Sequence, residues 1–260
     1  MYQVEKDAIR IAVRERYTQA VENSCRGPGC CSAPEADRSL EMGYSPDEMR
    51  AAPEGANLGL GCGNPRAIAS LRTGEVVVDL GSGAGFDCFL AAGQVGPEGH
   101  VIGVDMTPAM ITKARANAQQ HGYTSVEFRL GEIENLPVAD STADVLLSNC
   151  VINLSPDKPR VFAEAFRVLK PGGRLAISDI VARAEMPAHL KADMTLYTCC
   201  VAGASLIGDL RAILEAVGFT RIEITPQEES AAFIRTLAPT EVAITDYIVS
   251  ATITAVKPLG

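Results

Sequence analysis

Val76–Asp87 reads VVVDLGSGAGFD, a run of branched apolar residues that leads through an aspartate into a glycine-rich turn. The apolar run predicts a buried strand. Glycines at Gly81, Gly83 and Gly85 allow the backbone to turn tightly and to approach a ligand closely. A helix is predicted to begin near Asp87, with its N-terminus directed at the same ligand. This stretch therefore predicts a ligand-binding crevice at the carboxyl end of a strand.

Apolar and amphipathic segments alternate through the middle of the chain. Strands are predicted near 76–80, 101–105, 126–130, 145–149 and 174–179, with helices near 87–95, 108–121 and 158–169. Such alternation indicates an α/β fold, a parallel sheet covered by helices on both faces. Two later apolar segments, near 221–225 and 245–256, are expected to complete the sheet at its edge.

The flanking regions do not follow this pattern. The first 17 residues, MYQVEKDAIRIAVRERY, have apolar residues at helical spacing and predict an amphipathic helix. Residues 24–66 are rich in glycine, proline and serine, which predicts an irregular lid or binding loop. Residues 181–206 look helical, and a short helix near 209–217 is expected to end at Gly218. We therefore expect three parts: 1–66 with the N-terminal helix and cysteine-containing loops, a cofactor-binding core over 67–181, and a substrate-binding, sheet-completing part over 182–260.

Composition narrows the class of partner and the compartment. The 260 residues carry a formal net charge of −9, which argues against nucleic acid or anionic lipid as the main partner. No apolar run is long enough to span a membrane, and the charged N-terminus lacks the apolar core of a signal peptide. We expect a cytoplasmic protein. A reducing compartment disfavours a static disulfide framework among the eight cysteines, which leaves ligation, redox chemistry or simple burial.

Acidic residues near the strand ends distinguish between possible cofactors, because a glycine-rich turn alone would also suit a dinucleotide. Asp79 precedes the turn, where a carboxylate can pair with a cationic amino-acid group but would repel a pyrophosphate. Asp105 ends the next predicted strand and can accept both ribose hydroxyls, with Met106 packing on adenine. Glu132, beside Ile133, can accept from the adenine amino group. These residues favour S-adenosylmethionine, although they could also be merely solvated strand ends.

Four stretches, DLGSGAGFD, VIGVDMTPAM, GEIENLP and FRVLKPGGRL, resemble the successive motifs of class I S-adenosylmethionine-dependent methyltransferases. The resemblance covers about residues 74–181 and implies a Rossmann-like sheet of seven strands, the last of them antiparallel, with a C-terminal substrate-binding extension. It implies S-adenosylmethionine as cofactor. The implied cofactor-binding residues are Asp79, Gly81, Ser82, Gly83, Gly85, Asp105, Met106, Glu132, Ile133 and Asn149. These motifs specify the methyl donor and leave the acceptor open.

Cysteine placement suggests the acceptor. Cys150 directly follows the fourth predicted strand, whose end faces the cofactor's methyl group in this architecture. A thiol is a poor general base for an alcohol or amine but a good soft ligand. Cys62 lies in a loop dense with glycine, and Cys200 belongs to the later segment CCVAGAS. Three thiolates from three segments would suit a thiophilic, pyramidal, three-coordinate centre.

A narrower resemblance extends over about residues 42–204. The stretches MGYSPDEM, EGANLGLGCGNP, GSGAGFDCFLAA, VIGVDMTPAMI, SNCVINLSPDK and CVAGA resemble arsenite methyltransferases. In that family the cysteines that match Cys62, Cys150 and Cys200 bind trivalent arsenic. Cys200 is preferred to the adjoining Cys199 because it directly precedes Val-Ala-Gly-Ala. The resemblance implies arsenite or its thiol conjugates as substrate and in-line attack by the arsenic lone pair on the sulfonium methyl. We expect a monomer.

The resemblance also implies a redox role for further cysteines. Methylation raises arsenic to the pentavalent state, and paired cysteines can return it to the trivalent state by forming a disulfide, which thioredoxin or glutathione would reduce. Cys25, Cys30 and Cys31 resemble the cysteine-containing N-terminal segment of the family, and one of them could pair with Cys62. A zinc site or exposed thiols are the alternatives for this cluster. Cys88, in an apolar run, is interpreted as a core residue.

Two other functions remain open at this stage. A methyltransferase for a small organic acceptor would account for the cofactor motifs but not for three cysteines in loops. A non-enzymatic, thiol-based metalloid-binding protein would account for the cysteines. The intact Asp79, glycine-rich turn and Asp105 argue against a non-enzymatic protein.

Overall fold

The computed structural model describes residues 3–22, 35–237 and 244–260. Its helices are α1 (Gln3–Glu22), α2 (Glu35–Glu41), α3 (Pro46–Ala51), α4 (Pro65–Ala69), α5 (Phe86–Val95), α6 (Pro108–Gln120), α7 (Lys158–Val168), α8 (Ala188–Lys191), α9 (Met194–Thr198), α10 (Ile207–Val217) and α11 (Ala231–Leu237). Its strands are β1 (Val76–Leu80), β2 (His100–Asp105), β3 (Val126–Leu130), β4 (Ala143–Asn149), β5 (Leu169–Ala182), β6 (Thr220–Gln227) and β7 (Ile248–Val256). Within these ranges, no helix is both long and apolar enough to cross a membrane.

The seven strands form one sheet in the order β3-β2-β1-β4-β5-β7-β6. Neighbours among β1 to β5 run parallel, whereas β7 is antiparallel to both β5 and β6. This topology confirms the predicted fold class, including the antiparallel last strand. Because β1 and β4 are neighbours although they are distant along the chain, their carboxyl ends bring the glycine-rich turn and Cys150 to one edge of the sheet.

The central strands are apolar on both faces because helices cover both. Val77, Val78 and Leu80 of β1 are almost fully buried, as expected for a parallel strand with a neighbour on each side. Helix α10 ends, as predicted, at Gly218, which adopts a left-handed conformation with φ of +110°. The core thus holds the strand ends rigidly, and the site is built on those ends.

Two predicted segments are corrected. Residues 35–69 contain α2, α3 and α4, so the segment expected to be irregular is partly helical; a capping box between Ser45 and Glu48 begins α3. Residues 181–206 are helical only in α8 and α9. Pairing with β7 keeps β5 extended as far as Ala182, and Pro187 precedes α8, so one continuous helix cannot form.

Helix α1 is held close to the carboxyl edge of the sheet by ion pairs. Arg10 contacts Glu134 at 3.2 Å between Nη2 and Oε1, and Glu132 at 3.4 Å between Nε and Oε2. Lys6 contacts Asp157, the residue that caps α7. These contacts make α1 part of the wall of the site described next.

Candidate active site

A pocket opens at the carboxyl ends of β1, β2 and β4. Its lining combines the glycine-rich turn at 81–84, the loop at 56–61, part of α1, and the residues that follow β2 and β4. Of the residues predicted to bind the cofactor, the lining contains Asp79, Gly81, Ser82, Gly83, Asp105, Met106, Ile133 and Asn149. Most of the predicted cofactor residues therefore meet at one concave surface.

The glycine-rich turn packs closely against neighbouring side chains and leaves one polar atom without a partner among the described residues. Gly81 has a φ of +70°, and a Cβ atom there would lie 2.3 Å from a methyl group of Val151. The Ser82 hydroxyl is buried and has no hydrogen-bond partner within the described residues. Gly85 serves another purpose, since a Cβ atom there would collide with Phe89 and Phe128, between α5 and the sheet. The turn thus leaves a polar atom available for a ligand.

Asp105 is fixed at the end of β2 by backbone amides. Its two carboxylate oxygens accept from Gly83 N at 3.0 Å and from Thr107 N at 2.8 Å. Burial raises the pKa of Asp105, while these two hydrogen bonds oppose that shift. Each oxygen retains accepting capacity, so the carboxylate can still receive hydroxyl groups from a ligand.

Asp79 and Asp87 form a pair of buried carboxyl groups beneath the turn. Asp87 accepts from Tyr44 Oη at 2.7 Å and from Asn149 Nδ2 at 3.2 Å, with the Arg66 guanidinium at 3.9 Å. Among the described residues, the Asp79 carboxylate accepts a side-chain hydrogen bond only from the weak thiol donor of Cys88, at 3.2 Å. Burial raises the pKa of both carboxyl groups, and the neighbouring Asp87 carboxylate raises that of Asp79 further. Hydrogen bonds from Tyr44 and Asn149 favour the ionised form of Asp87, so a proton on this pair favours Asp79. An incoming cationic group would give Asp79 a stronger partner than the Cys88 thiol.

This arrangement predicts that cofactor affinity depends on pH. A cationic ligand pairs with ionised Asp79, but below its raised pKa the free protein holds a proton there, which binding must release. The affinity should therefore fall as the pH drops through that raised pKa, by up to about ten-fold per pH unit for one proton. Calorimetry in buffers of different ionisation enthalpy would measure the proton released. Absence of proton release would contradict the assignment of the proton to Asp79.

The adenine end of the pocket differs in part from the prediction. Ile133 lines the pocket, together with Glu134, which accepts from Ser155 Oγ at 2.8 Å. Glu132 is 41% exposed and pairs with Arg10 and Arg14 of α1, outside the lining residues. A direct contact between Glu132 and adenine stays a prediction. No feature of the sequence predicted that Glu134, two residues further along, would line the pocket.

Asn149 connects the cofactor pocket to the loop of Cys62. Its Oδ1 accepts from the Cys62 amide at 2.9 Å, and its Nδ2 donates to the Gly63 carbonyl at 2.8 Å. Gly61 is required here, because a Cβ atom at that position would lie 2.6 Å from Asn149. Tyr44 and Asp87, the other partners of Asn149, were not identified from the sequence. Asp87 lies in the first turn of α5, where its role as an acidic pocket residue could have been suspected.

Three cysteines from three segments converge beside this pocket. Cys62, Cys150 and Cys200 are all buried free thiols. The Cys200 thiol donates to the Cys150 carbonyl at 2.8 Å, and the Cys62 thiol to the Ser178 carbonyl at 3.5 Å. Cys150 also lines the cofactor pocket. The predicted convergence is therefore present, although only the fold brings these loops together.

Local conformation orients two of these thiols. Cys150 has a φ of +58° and Cys200 a φ of +63°, a left-handed region that residues other than glycine seldom adopt. Both are held there: the Cys150 amide donates to the Ser178 carbonyl at 2.8 Å, and the Cys200 amide donates to the Tyr197 carbonyl at 3.0 Å. Such conformations persist only where the surroundings enforce them, and they concentrate at functional sites.

The thiols are protonated in this state. Burial raises the pKa of Cys62 to about 12. The pKa values of Cys150 and Cys200 are raised well above the ordinary value, because the sulfur atoms lie close together and are buried. The expected thiolate character therefore belongs to a ligand-bound state. Asp179, also buried here, has its pKa raised by burial to about 7.

The remaining cysteines differ in how their structure compares with the prediction. Cys88 is fully buried in the core, as interpreted from its apolar surroundings. Cys199 is disulfide-bonded, a single bond that the sequence did not predict. Cys25, Cys30 and Cys31, the redox candidates, lie outside the described residues.

Comparisons with known proteins identify relatives of this chain. The family model described as a methyltransferase domain matches residues 71–218. An arsenite methyltransferase from Halobacterium salinarum is 51% identical, over 98% of this chain and 68% of its own length. An arsenite methyltransferase from Aquipseudomonas alcaligenes is 39% identical, over 80% of this chain and 61% of its own. The crystal structure of an arsenic(III) S-adenosylmethionine methyltransferase from Chlamydomonas reinhardtii superposes with a TM-score of 0.62 at 32% identity, covering 87% of this chain and 74% of that one.

The seven-stranded sheet, the glycine-rich turn and the acidic pocket at the strand ends are those of a class I S-adenosylmethionine-dependent methyltransferase. Within that class, three cysteines of this chain meet beside the pocket. The arsenite methyltransferases of Halobacterium salinarum and Chlamydomonas reinhardtii align with most of the length of this chain. The chain belongs to the arsenite methyltransferase family.

Proposed function

We propose that this enzyme methylates trivalent arsenic held jointly by Cys62, Cys150 and Cys200. The observation that carries the proposal is the meeting of three buried free thiols at the wall of the cofactor pocket, which Cys150 itself lines. Trivalent arsenic is thiophilic and binds three sulfur atoms in a pyramid, so this donor set suits it. A small organic acceptor would gain nothing from three sulfur donors.

Residues of the pocket fit S-adenosylmethionine, which supplies a methyl group on a positively charged sulfur. Asp79 would pair with the cationic amino-acid end, since it is a buried carboxyl whose partner within the described residues is the weak thiol donor of Cys88. Ser82, whose buried hydroxyl has no partner among the described residues, would adjoin the same end, as would the turn at Gly81 and Gly83, which both have positive φ. Asp105 would accept the ribose hydroxyls, with Met106 and Ile133 against adenine.

Substrate binding is proposed to proceed by exchange of ligands on arsenic. Three S–H bonds and three As–O bonds of arsenite break, while three As–S bonds and three water O–H bonds form. No net charge enters the site, which matches the raised pKa values of the cysteines: protonated thiols and neutral arsenous acid react to neutral products. The protein thus avoids placing three uncompensated thiolates in a buried site.

Catalysis then rests on position. Three sulfur ligands leave the arsenic lone pair directed away from them, and Cys150 borders the pocket, so the lone pair can face the methyl group in line. No general base is needed, because arsenic carries no proton to remove. Asn149 would keep the Cys62 loop in register with the pocket through its bonds to the Cys62 amide and to Asp87.

Return of arsenic to the trivalent state requires two electrons per methylation. We propose that Cys62 and one of Cys25, Cys30 and Cys31 supply them by forming a disulfide, which thioredoxin or glutathione reduces. The site needs Cys62, Cys150 and Cys200 as free thiols, and this requirement favours action in the reducing cytoplasm. We propose a monomer as the working unit.

The decisive test is a methylation assay with arsenite, S-adenosylmethionine and a thiol reductant, with arsenic species separated and identified by mass spectrometry. We expect methylated arsenic in amounts that depend on both cofactor and enzyme. Failure to methylate arsenite, together with methyl transfer to a quinone precursor or another small organic acceptor, would overturn the proposal. Binding of arsenite without any methylation would favour a metalloid-binding protein instead.

A further inference from the structure

The cysteine cluster contains a fourth potential donor that arsenic chemistry does not require. Asp179 of β5 lies beneath the thiols, and the donor atoms of Cys62, Cys150 and Asp179 all lie within 4.8 Å of one another. All three residues are buried. Across the described ranges, Cys200 is not a member of this group, although its thiol contacts the Cys150 carbonyl. The site therefore offers two overlapping but different sets of donors.

The Asp179 carboxylate is oriented firmly, as a metal ligand should be. Oδ1 accepts from Asn153 Nδ2 at 2.9 Å and from the Ile180 amide at 2.8 Å. Oδ2 accepts from the Ile152 amide at 2.9 Å and keeps a second lone pair. Hydrogen bonds of this kind to a ligating carboxylate hold its direction and tune its affinity for metal.

Charge balance favours a divalent cation on this second donor set. Two thiolates and one carboxylate carry three negative charges, and a divalent cation neutralises two of them. Lys158, whose Nζ donates to the Gly203 carbonyl at 2.7 Å, interacts electrostatically with Asp179 and can compensate the third. Sulfur donors combined with a carboxylate are typical of zinc, and cysteine thiolates select soft cations over magnesium or calcium.

We infer that Cys62, Cys150 and Asp179 form a binding site for a thiophilic divalent cation such as Zn²⁺ or Cd²⁺, which excludes arsenic from the same cysteines. Binding breaks two S–H bonds, the O–H bond of Asp179 where it is protonated, and metal–water bonds of the hydrated cation. It forms two metal–sulfur bonds and one metal–oxygen bond, keeps a water molecule as the fourth ligand, and releases the displaced protons and water to solvent; nothing is oxidised or reduced. The cation would act as a competitive inhibitor, so that free zinc would limit methylation until arsenite displaces it.

Cobalt(II) is the probe for this site, because thiolate ligation produces a charge-transfer band in the near ultraviolet and tetrahedral geometry intensifies the visible bands. The reduced full chain is titrated with Co²⁺ alone, without arsenic. We expect both signals in the wild type and in Cys200→Ser, and loss of the charge-transfer band in Cys62→Ser and Cys150→Ser. Asp179→Asn should weaken Co²⁺ binding by about a hundred-fold.

Arsenite binding provides the matched comparison. Cys200→Ser should lose tight arsenite binding while it keeps Co²⁺, whereas Asp179→Asn should show the reverse. Calorimetry with S-adenosylmethionine verifies that Asp179→Asn is folded. If that variant does not fold, the arsenite and Co²⁺ affinities of Cys200→Ser test the inference. Loss of Co²⁺ in Cys200→Ser, or unchanged Co²⁺ affinity in folded Asp179→Asn, would overturn the inference, since the cation would then occupy three sulfur atoms.

Competition between Zn²⁺ and arsenite in the methylation assay rests on the proposed function, but the Co²⁺ titrations do not. Zn²⁺ should raise the apparent KM for arsenite without changing kcat, and Asp179→Asn should reduce this inhibition. An enzyme that binds Co²⁺ as described but fails to methylate arsenite would refute the proposed function alone. An enzyme that methylates arsenite without binding Co²⁺ would refute the cation site alone.

Discussion

Replacing Cys150 with serine should abolish methylation of arsenite while S-adenosylmethionine still binds. The hydroxyl of serine is a hard donor that arsenic exchanges readily with water, so the metalloid would be held by two sulfur atoms only. Its lone pair would then lose its fixed direction toward the methyl group. Because orientation is the main contribution of the protein, we expect the rate to fall by about a thousand-fold or more. Single-turnover methylation with arsenite, followed by mass spectrometry, measures this loss.

Cys88→Ser is the matched control for that experiment. Cys88 is also a buried free thiol, but it lies in the core beneath β1 and donates to Asp79 instead of facing the cysteine cluster. A serine hydroxyl can make the same hydrogen bond, so Cys88→Ser should keep one tightly bound arsenite per chain. If Cys150→Ser retains full arsenic methylation, the proposed coordination is wrong. An equal loss of arsenic methylation in Cys150→Ser and Cys88→Ser would indicate general damage to the fold and would also contradict the proposed coordination.

Replacing Asp79 with alanine should weaken S-adenosylmethionine binding and at the same time stabilise the cofactor-free protein. The lost carboxylate contact to a charged group corresponds to about 2 kcal/mol, or about thirty-fold in Kd. The gain in stability has a different origin. Burial and the nearby Asp87 raise the pKa of Asp79 above its unfolded value, so its contribution to stability is present at low pH and is lost as the pH rises through that raised pKa.

Opposite changes in affinity and stability make this prediction specific. Calorimetry gives the Kd, and thermal unfolding without cofactor gives Tm, which should increase in Asp79→Ala more at alkaline than at acidic pH. Asp140→Ala serves as control, because Asp140 is 76% exposed, pairs with Arg167 and lies outside the pocket lining. It should change neither quantity appreciably. An Asp79→Ala variant with unchanged Kd, or with a lower Tm at alkaline pH, would contradict the proposed role.

Much of the cofactor pocket follows from local sequence. The apolar run of β1, the glycine-rich turn and Asp105 at the end of β2 lie within 30 residues, and each has a direct consequence for backbone geometry or charge. The pocket lining contains eight of the ten predicted cofactor residues, with Glu132 and Gly85 outside it. Glu132 instead forms ion pairs with Arg10 and Arg14 of α1. These contacts join residues more than 100 positions apart along the chain, so the local sequence does not predict them.

The sequence determined the fold class, the position of the methyl-donor pocket at the strand ends, and the three cysteines offered to the acceptor, because periodicity, glycine and strand-end acids act over short distances. Only the tertiary structure decided that Asp179 lies among those cysteines and that Asn149 links Cys62 to Asp87. It also decided that the thiols are protonated, since their pKa values depend on burial and on sulfur atoms from three distant segments. Such effects arise between residues far apart in the chain, whose proximity no local pattern encodes.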